Sequence, residues 1–293
     1  MSVYKHDYRA YSGRVTPIWA RIGVLVRYGL AEALSSKITI GLFLAALIPF
    51  IVLLIQVYLA NNPAARLLVS RNGLSWLEIN SQYFLRALQL QCWFALPLMS
   101  WVAPRLITYD LADSALPILL SHPVSRFGYV LGKFIALFVS LASVTLLPCL
   151  VLFVYQCYFA PPGWTSANLS IAAGIVVGGT IWITLLSMLG LAFSSWVKWR
   201  TLATGVIFAA IFVPAGVGGI VTAVLRTKWG SLLNLPVMMT QLWQRLLGVP
   251  EMVRTGSDWS LPSTAILIML LAACLVCVAM LNARIRAREV VRG

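Results

Sequence analysis

Two aspartates, a histidine, an arginine and a lysine crowd into one stretch, LITYDLADSALPILLSHPVSRFGYVLGKF, at 106–134. Three chemistries use such residue types: acid–base catalysis, phosphate binding at a Gly-Lys pair, and the grip of a partner protein. Catalysis fails on supply. The chain has two histidines, His6 and His122, and eight acids scattered along its length. Hydrolysis or metal chemistry needs several such groups converging on one site. With no HExxH, no GxSxG and no pair of intramembrane acids, neither a catalytic nor a metal site is expected. The lack of acid in the apolar runs also argues against an ion-driven pump. Phosphate binding fails on spacing. A phosphate loop needs G-x-x-x-x-G-K-[ST] between strand and helix. Here Gly128 to Gly132-Lys133 is one residue short, and Phe134 follows. Cys274 and Cys277 form a CxxC inside an apolar run with no histidine or acid near, so they are expected to pack rather than ligate or react.

The elements that carry these residues follow from composition. Sixty per cent of the chain is apolar and 10% is charged, with a mean hydropathy of +0.89; a soluble domain carries about 25% charged residues. Apolar runs of helical-span length recur, so an all-α membrane protein is expected. Six spans are expected, at about 38–59, 82–103, 130–158, 169–195, 202–224 and 263–281. The first run is long enough to span and stay, so no cleavable signal is expected. In a soluble protein the net charge of +14 would suggest nucleic acid. In a membrane protein Lys and Arg hold helix ends against anionic lipid, and no nucleic-acid partner is expected.

The charges also orient the chain. The N-terminus, the 104–133 region, the 196–201 loop and the C-terminus carry fifteen Lys and Arg, against six in the loops at 60–81, 159–168 and 225–262. That excess places both termini in the cytoplasm, and the 106–134 stretch with them. Residues 1–37 form a cytoplasmic N-terminus. Within it, Pro17 can start a helix whose Ile18, Ile22, Leu25 and Val26 share a face among Arg14, Arg21 and Arg27, the pattern of an interfacial helix. Residues 38–281 form the six-span domain, with a cytoplasmic segment at 104–129 and a long outer loop at 225–262. Residues 282–293 form a basic tail. In the outer loop, SLLNLPVMMTQLWQRLLG is amphipathic and helical, with a break expected at Pro236, and is expected to dip into the outer leaflet or cap the external mouth.

Three further features bear on function. Glu78, Gln82, Arg86 and Gln89 share about 80° of helix face at 100° per residue on span two. They form either a polar stripe lining a substrate pathway, with Gln56 on span one as companion, or an arginine that snorkels to headgroups. Gly174 and Gly178 form a GxxxG suited to close helix packing, within or between subunits. Gly216, Gly218 and Gly219, after Pro214, suggest a bend or break near the outer end of span five.

With this topology, the 106–133 stretch resembles the cytoplasmic segment joining spans two and three in ABC-2 type transporter permeases. The matching positions are Ile107, Asp110, Ala115, Leu116, Leu119, Leu120, Ser121, Pro123, Val124, Ser125, Arg126, Tyr129, Leu131, Gly132 and Lys133. Ser114 stands where glycine is usual. The resemblance implies an ABC-2 (type V) exporter-like transmembrane domain in a bacterial inner membrane. It implies two partner ATPase subunits that bind ATP and Mg, a second permease copy or paralogue, and surrounding lipid. Export or extrusion of an amphipathic substrate follows. Asp110 and Asp113, spaced i, i+3, are then expected to meet basic groups of the ATPase, and Leu116, Leu119 and Leu120 to offer it an apolar ridge. Pro123 angles the turn, Ser125 caps the third span, and Arg126 sits at the membrane edge. The alternative is a membrane anchor or assembly factor without transport.

Overall fold

The computed structural model describes residues 17–63, 78–112, 125–249 and 260–284. Among these residues the secondary structure is helical, with no strand. Nine α-helices of 12 residues or more among the described residues carry the architecture. They are α1 (Ile18–Leu34), α2 (Lys37–Asn61), α3 (Ser81–Ala112), α4 (Arg126–Val144), α5 (Leu146–Phe159), α6 (Leu169–Trp196), α7 (Arg200–Leu225), α8 (Leu235–Leu246) and α9 (Ser263–Arg284). Among the described residues five stretches are long and apolar enough to cross a membrane: α2, α4 with α5, α6, α7 and α9. The chain is a multi-pass membrane protein.

Helix α3 differs from those five. Its 32 residues reach about 48 Å at 1.5 Å per residue, but Gln82, Arg86, Gln89 and Gln91 lower its hydropathy. It need not be apolar throughout, because protein surrounds it. Helices α1, α2, α4, α5, α6 and α7 all pack against it, and Phe84, Leu88, Met99, Leu106 and Ile107 along it are fully buried. Tyr83 anchors one end of α3 by donating to the Leu53 carbonyl of α2 at 2.8 Å. By contrast, α2, α7 and α9 bury little of their apolar surface within the chain.

Several boundaries depart from expectation. Helix α3, expected as the second span, runs nine residues past 103, so the first part of the 104–129 segment is still helix. The third span is two helices rather than one. Pro148, the third residue of α5, has no N–H to donate to Val144, so α4 ends there and Thr145 turns away from ideal helix geometry. Glu78 precedes the start of α3 and is not on its polar face. The stretch around Pro236 is interrupted at Asn234, between the 3-10 turn Lys228–Leu233 and α8; Pro236 itself sits in the first turn of α8, where a missing N–H costs nothing. Helix α7 runs through Pro214 and the three glycines without interruption. Gly218 is needed there for a different reason: a Cβ would run into the carbonyl of Gly230 on the 3-10 turn Lys228–Leu233 that folds back over α7.

Gly174 and Gly178 pack within the chain. A Cβ on Gly174 would lie 2.8 Å from the Leu246 carbonyl, and one on Gly178 would lie 2.6 Å from Trp243 Cδ1. Both neighbours are on α8, which buries Met238, Met239, Leu242 and Trp243. Helix α8 therefore folds down onto α6. Arg245 secures it by donating to Ser263 Oγ at 2.7 Å, at the start of α9, and to the Leu261 carbonyl just before it.

Candidate functional site

The residues of the 106–134 stretch that the structure describes meet at one end of the bundle, where α1, α3 and α4 converge. The same end holds the α6–α7 turn and the end of α9, and it carries most of the described Lys and Arg. Three causes bring the helices together. First, α4 starts cleanly: Ser125 is its N-cap and accepts from the Gly128 N–H at 3.0 Å, which satisfies one of the four donors a helix start leaves open. Second, α1 lies close along α4. A Cβ on Gly29 would fall 2.8 Å from Ala136 Cβ, and one on Gly132 would fall 2.9 Å from Leu25 Cβ. Glycine on each helix thus lets the two approach more closely than any other residue permits. Third, α3 continues through Asp110, which carries that carboxylate past the end of the apolar core to meet α4.

The result is a mostly buried charge cluster. Lys133 Nζ lies 2.8 Å from Asp110 Oδ2 and 4.0 Å from Glu32 Oε2. Tyr129, one helical turn before Lys133, donates its hydroxyl to Asp110 Oδ2 at 2.7 Å. Side-chain exposure is 8% for Lys133, 21% for Asp110 and 35% for Glu32. A single lysine thus ties the N-terminal helix, the central helix and α4 together. Asp110 faces into this junction, so its carboxylate is committed to the chain's own Lys133 and Tyr129.

Glu32 is held less well. Burial pushes its carboxyl above the ordinary value, and the like charge of Asp110 adds to that push; Lys133 and Arg105 pull the other way without prevailing. The 4.0 Å separation from Lys133 is too long for a hydrogen bond, which is why pairing does not offset desolvation. Polar contacts extend the junction sideways. Arg105 donates to Ser35 Oγ at 3.1 Å and Trp101 Nε1 to Ser36 Oγ at 3.3 Å, fixing the α1–α2 turn on α3. Thr108 donates to the Ser194 carbonyl at 3.1 Å, and the Arg200 guanidinium stacks over Trp101 at 4.1 Å.

Arg126 is exposed at the start of α4. Asp113, Leu116, Leu119, Leu120 and Pro123 lie outside the described residues. Neither Glu32 nor the joint role of Gly132 and Lys133 was singled out from sequence. The signal was present for Tyr129 and Lys133, whose i, i+4 spacing puts both on one face of a helix. Nothing local connects Glu32 to them across a hundred residues.

The polar face of α3 lies toward the other end. Arg86 is exposed, and Gln82 and Gln89 are half-buried on the same side. Gln89 opens into a cavity of about 200 Å³ between α3, α6 and α8, with Trp93, Trp182 and Trp243 among its walls. Gln56 is half-buried on α2. The structure thus keeps Gln82, Arg86 and Gln89 together and adds an aromatic pocket that sequence spacing could not reveal. No family model matches the chain, and no curated protein matches it.

Proposed function

We propose that this chain is the transmembrane permease subunit of an ATP-binding cassette exporter of the ABC-2 type. One observation carries the reading: residues of the pattern that resembles that family also form the junction at which α1, α3 and α4 meet. Asp110, Tyr129, Gly132 and Lys133 all belong to the pattern, and all are structural members of the junction. A force applied to the segment between α3 and α4 is transmitted through this junction to α1 and to the long central helix. Such a device suits a protein moved by ATPase subunits that it does not itself contain.

In this reading α3 is a sixth crossing. The basic end faces the cytoplasm, and α1 lies at the inner membrane surface, its exposed Trp19 and Tyr28 turned toward headgroups. The partners are two ATPase subunits that hold ATP and Mg, and a second permease. The polar face of α3 and its aromatic pocket line the path of an amphipathic substrate. The test is co-expression with candidate ABC ATPase subunits of the same organism, followed by purification and hydrolysis assays. A stable complex whose ATP turnover falls when the 113–124 segment is altered supports the reading. A chain that purifies without any ATP-binding subunit overturns it.

A further inference from the structure

A groove of about 520 Å³ runs between α4, α6 and α9 and opens at the basic end of the bundle. Its volume lies within the roughly 300–1,000 Å³ typical of ligand sites. Phe134, Met188 and Val278 form apolar walls along membrane-spanning helices, and Arg126 and Asn282 stand at the mouth. We propose that this groove binds one anionic phospholipid, an acyl chain lying along the walls and the phosphate resting at Arg126. The inference uses the membrane assignment and the cytoplasmic orientation that the Lys and Arg distribution favours, and is independent of the transporter reading.

Charge and depth both favour this occupant. Arg126 is exposed and forms no ion pair among the described residues. It sits in the first turn of α4, which contains no acid to offset the positive end of the helix. No groove-lining residue is acidic. Among the described residues the charged features at the mouth are therefore all positive, which suits an anion and gives a zwitterionic headgroup little advantage. Depth is marked separately. Trp196 and Trp199 are exposed at this end, and Arg284 lies 5.9 Å over the Trp196 ring. Indoles and arginines at one level are the signature of the headgroup layer. A mouth at that level with apolar walls beneath it matches the two halves of a phospholipid, and basic pockets between membrane helices on the cytoplasmic side bind anionic headgroups.

The test uses the full chain in detergent, titrated with phosphatidylglycerol or phosphatidylcholine of the same acyl composition and read by native mass spectrometry. The wild type should retain phosphatidylglycerol roughly fivefold better, the factor one surface cation contributes. R126Q should abolish that preference without lowering thermal stability, because Arg126 is exposed. V278W, which fills the groove, should reduce retention of both lipids. Equal retention of the two lipids by the wild type overturns the proposal, as does an unchanged preference in R126Q. Displacement of the bound lipid by inorganic phosphate would mark a bare anion site and also overturn it. If V278W alters oligomeric state and leaves lipid retention intact, the groove is a contact between copies of the chain.

Discussion

Breaking the Asp110–Lys133 pair should loosen the junction by a measurable amount, and the two partners should not be equivalent. D110N removes the charge but keeps an oxygen that can accept from Tyr129. Among the described residues it leaves Lys133, 8% exposed, with Glu32 at 4.0 Å as its one remaining anion and the Tyr129 ring at 5.8 Å. Removing one member of a buried pair costs about 3–5 kcal/mol. Discounting for the 21% exposure of Asp110 and for the second anion gives about 2–4 kcal/mol for D110N. K133M fills a similar volume and leaves Asp110 bonded to Tyr129 and touched by water, so about 1–2 kcal/mol is expected. The double variant leaves no unpaired charge at this pair and should cost less than the sum, a coupling of about 1–3 kcal/mol. The assay is reversible unfolding in mixed micelles, with amide exchange across α1 as a local readout. Faster exchange in α1 should accompany the loss in D110N. A coupling below about 0.5 kcal/mol, or single variants of equal cost with α1 protection unchanged, would refute the view that this pair holds the junction.

Two further perturbations probe other parts of the argument. G178A places a methyl 2.6 Å from Trp243 Cδ1 and should destabilise the α6–α8 contact by about 1–3 kcal/mol; G216A, which meets nothing within 4 Å, is the control and should be neutral, both read by thermal unfolding and tryptophan fluorescence. Because burial raises the Glu32 carboxyl, the folded chain binds this proton more tightly than the unfolded chain does. Its contribution to stability is therefore complete below the ordinary glutamate range and is lost as pH rises through the raised value. E32Q should match or exceed the wild type at neutral pH, with the difference vanishing on acidification; a clear loss of stability at neutral pH would mean the Lys133 contact outweighs desolvation.

Composition alone settles the helical membrane class, because hydrocarbon leaves the backbone of 38–59, 169–195, 202–224 and 263–281 no alternative to internal hydrogen bonding. Local chemistry likewise settles Ser125 as a cap, since the N–H it accepts from is three residues on, and the GxxxG spacing puts Gly174 and Gly178 on one face open to close approach. Tertiary structure decided the rest. It made α8, rather than another subunit, the partner of the two glycines. It turned Asp110 inward onto Lys133, and joined Glu32 to both through the Gly29 and Gly132 contacts between α1 and α4. It let α3, the most polar of the long helices, occupy the centre, where neighbouring helices rather than lipid surround it. Sequence periodicity specifies which residues share a face. It does not specify what that face meets, because the meeting depends on how helices far apart in the chain pack.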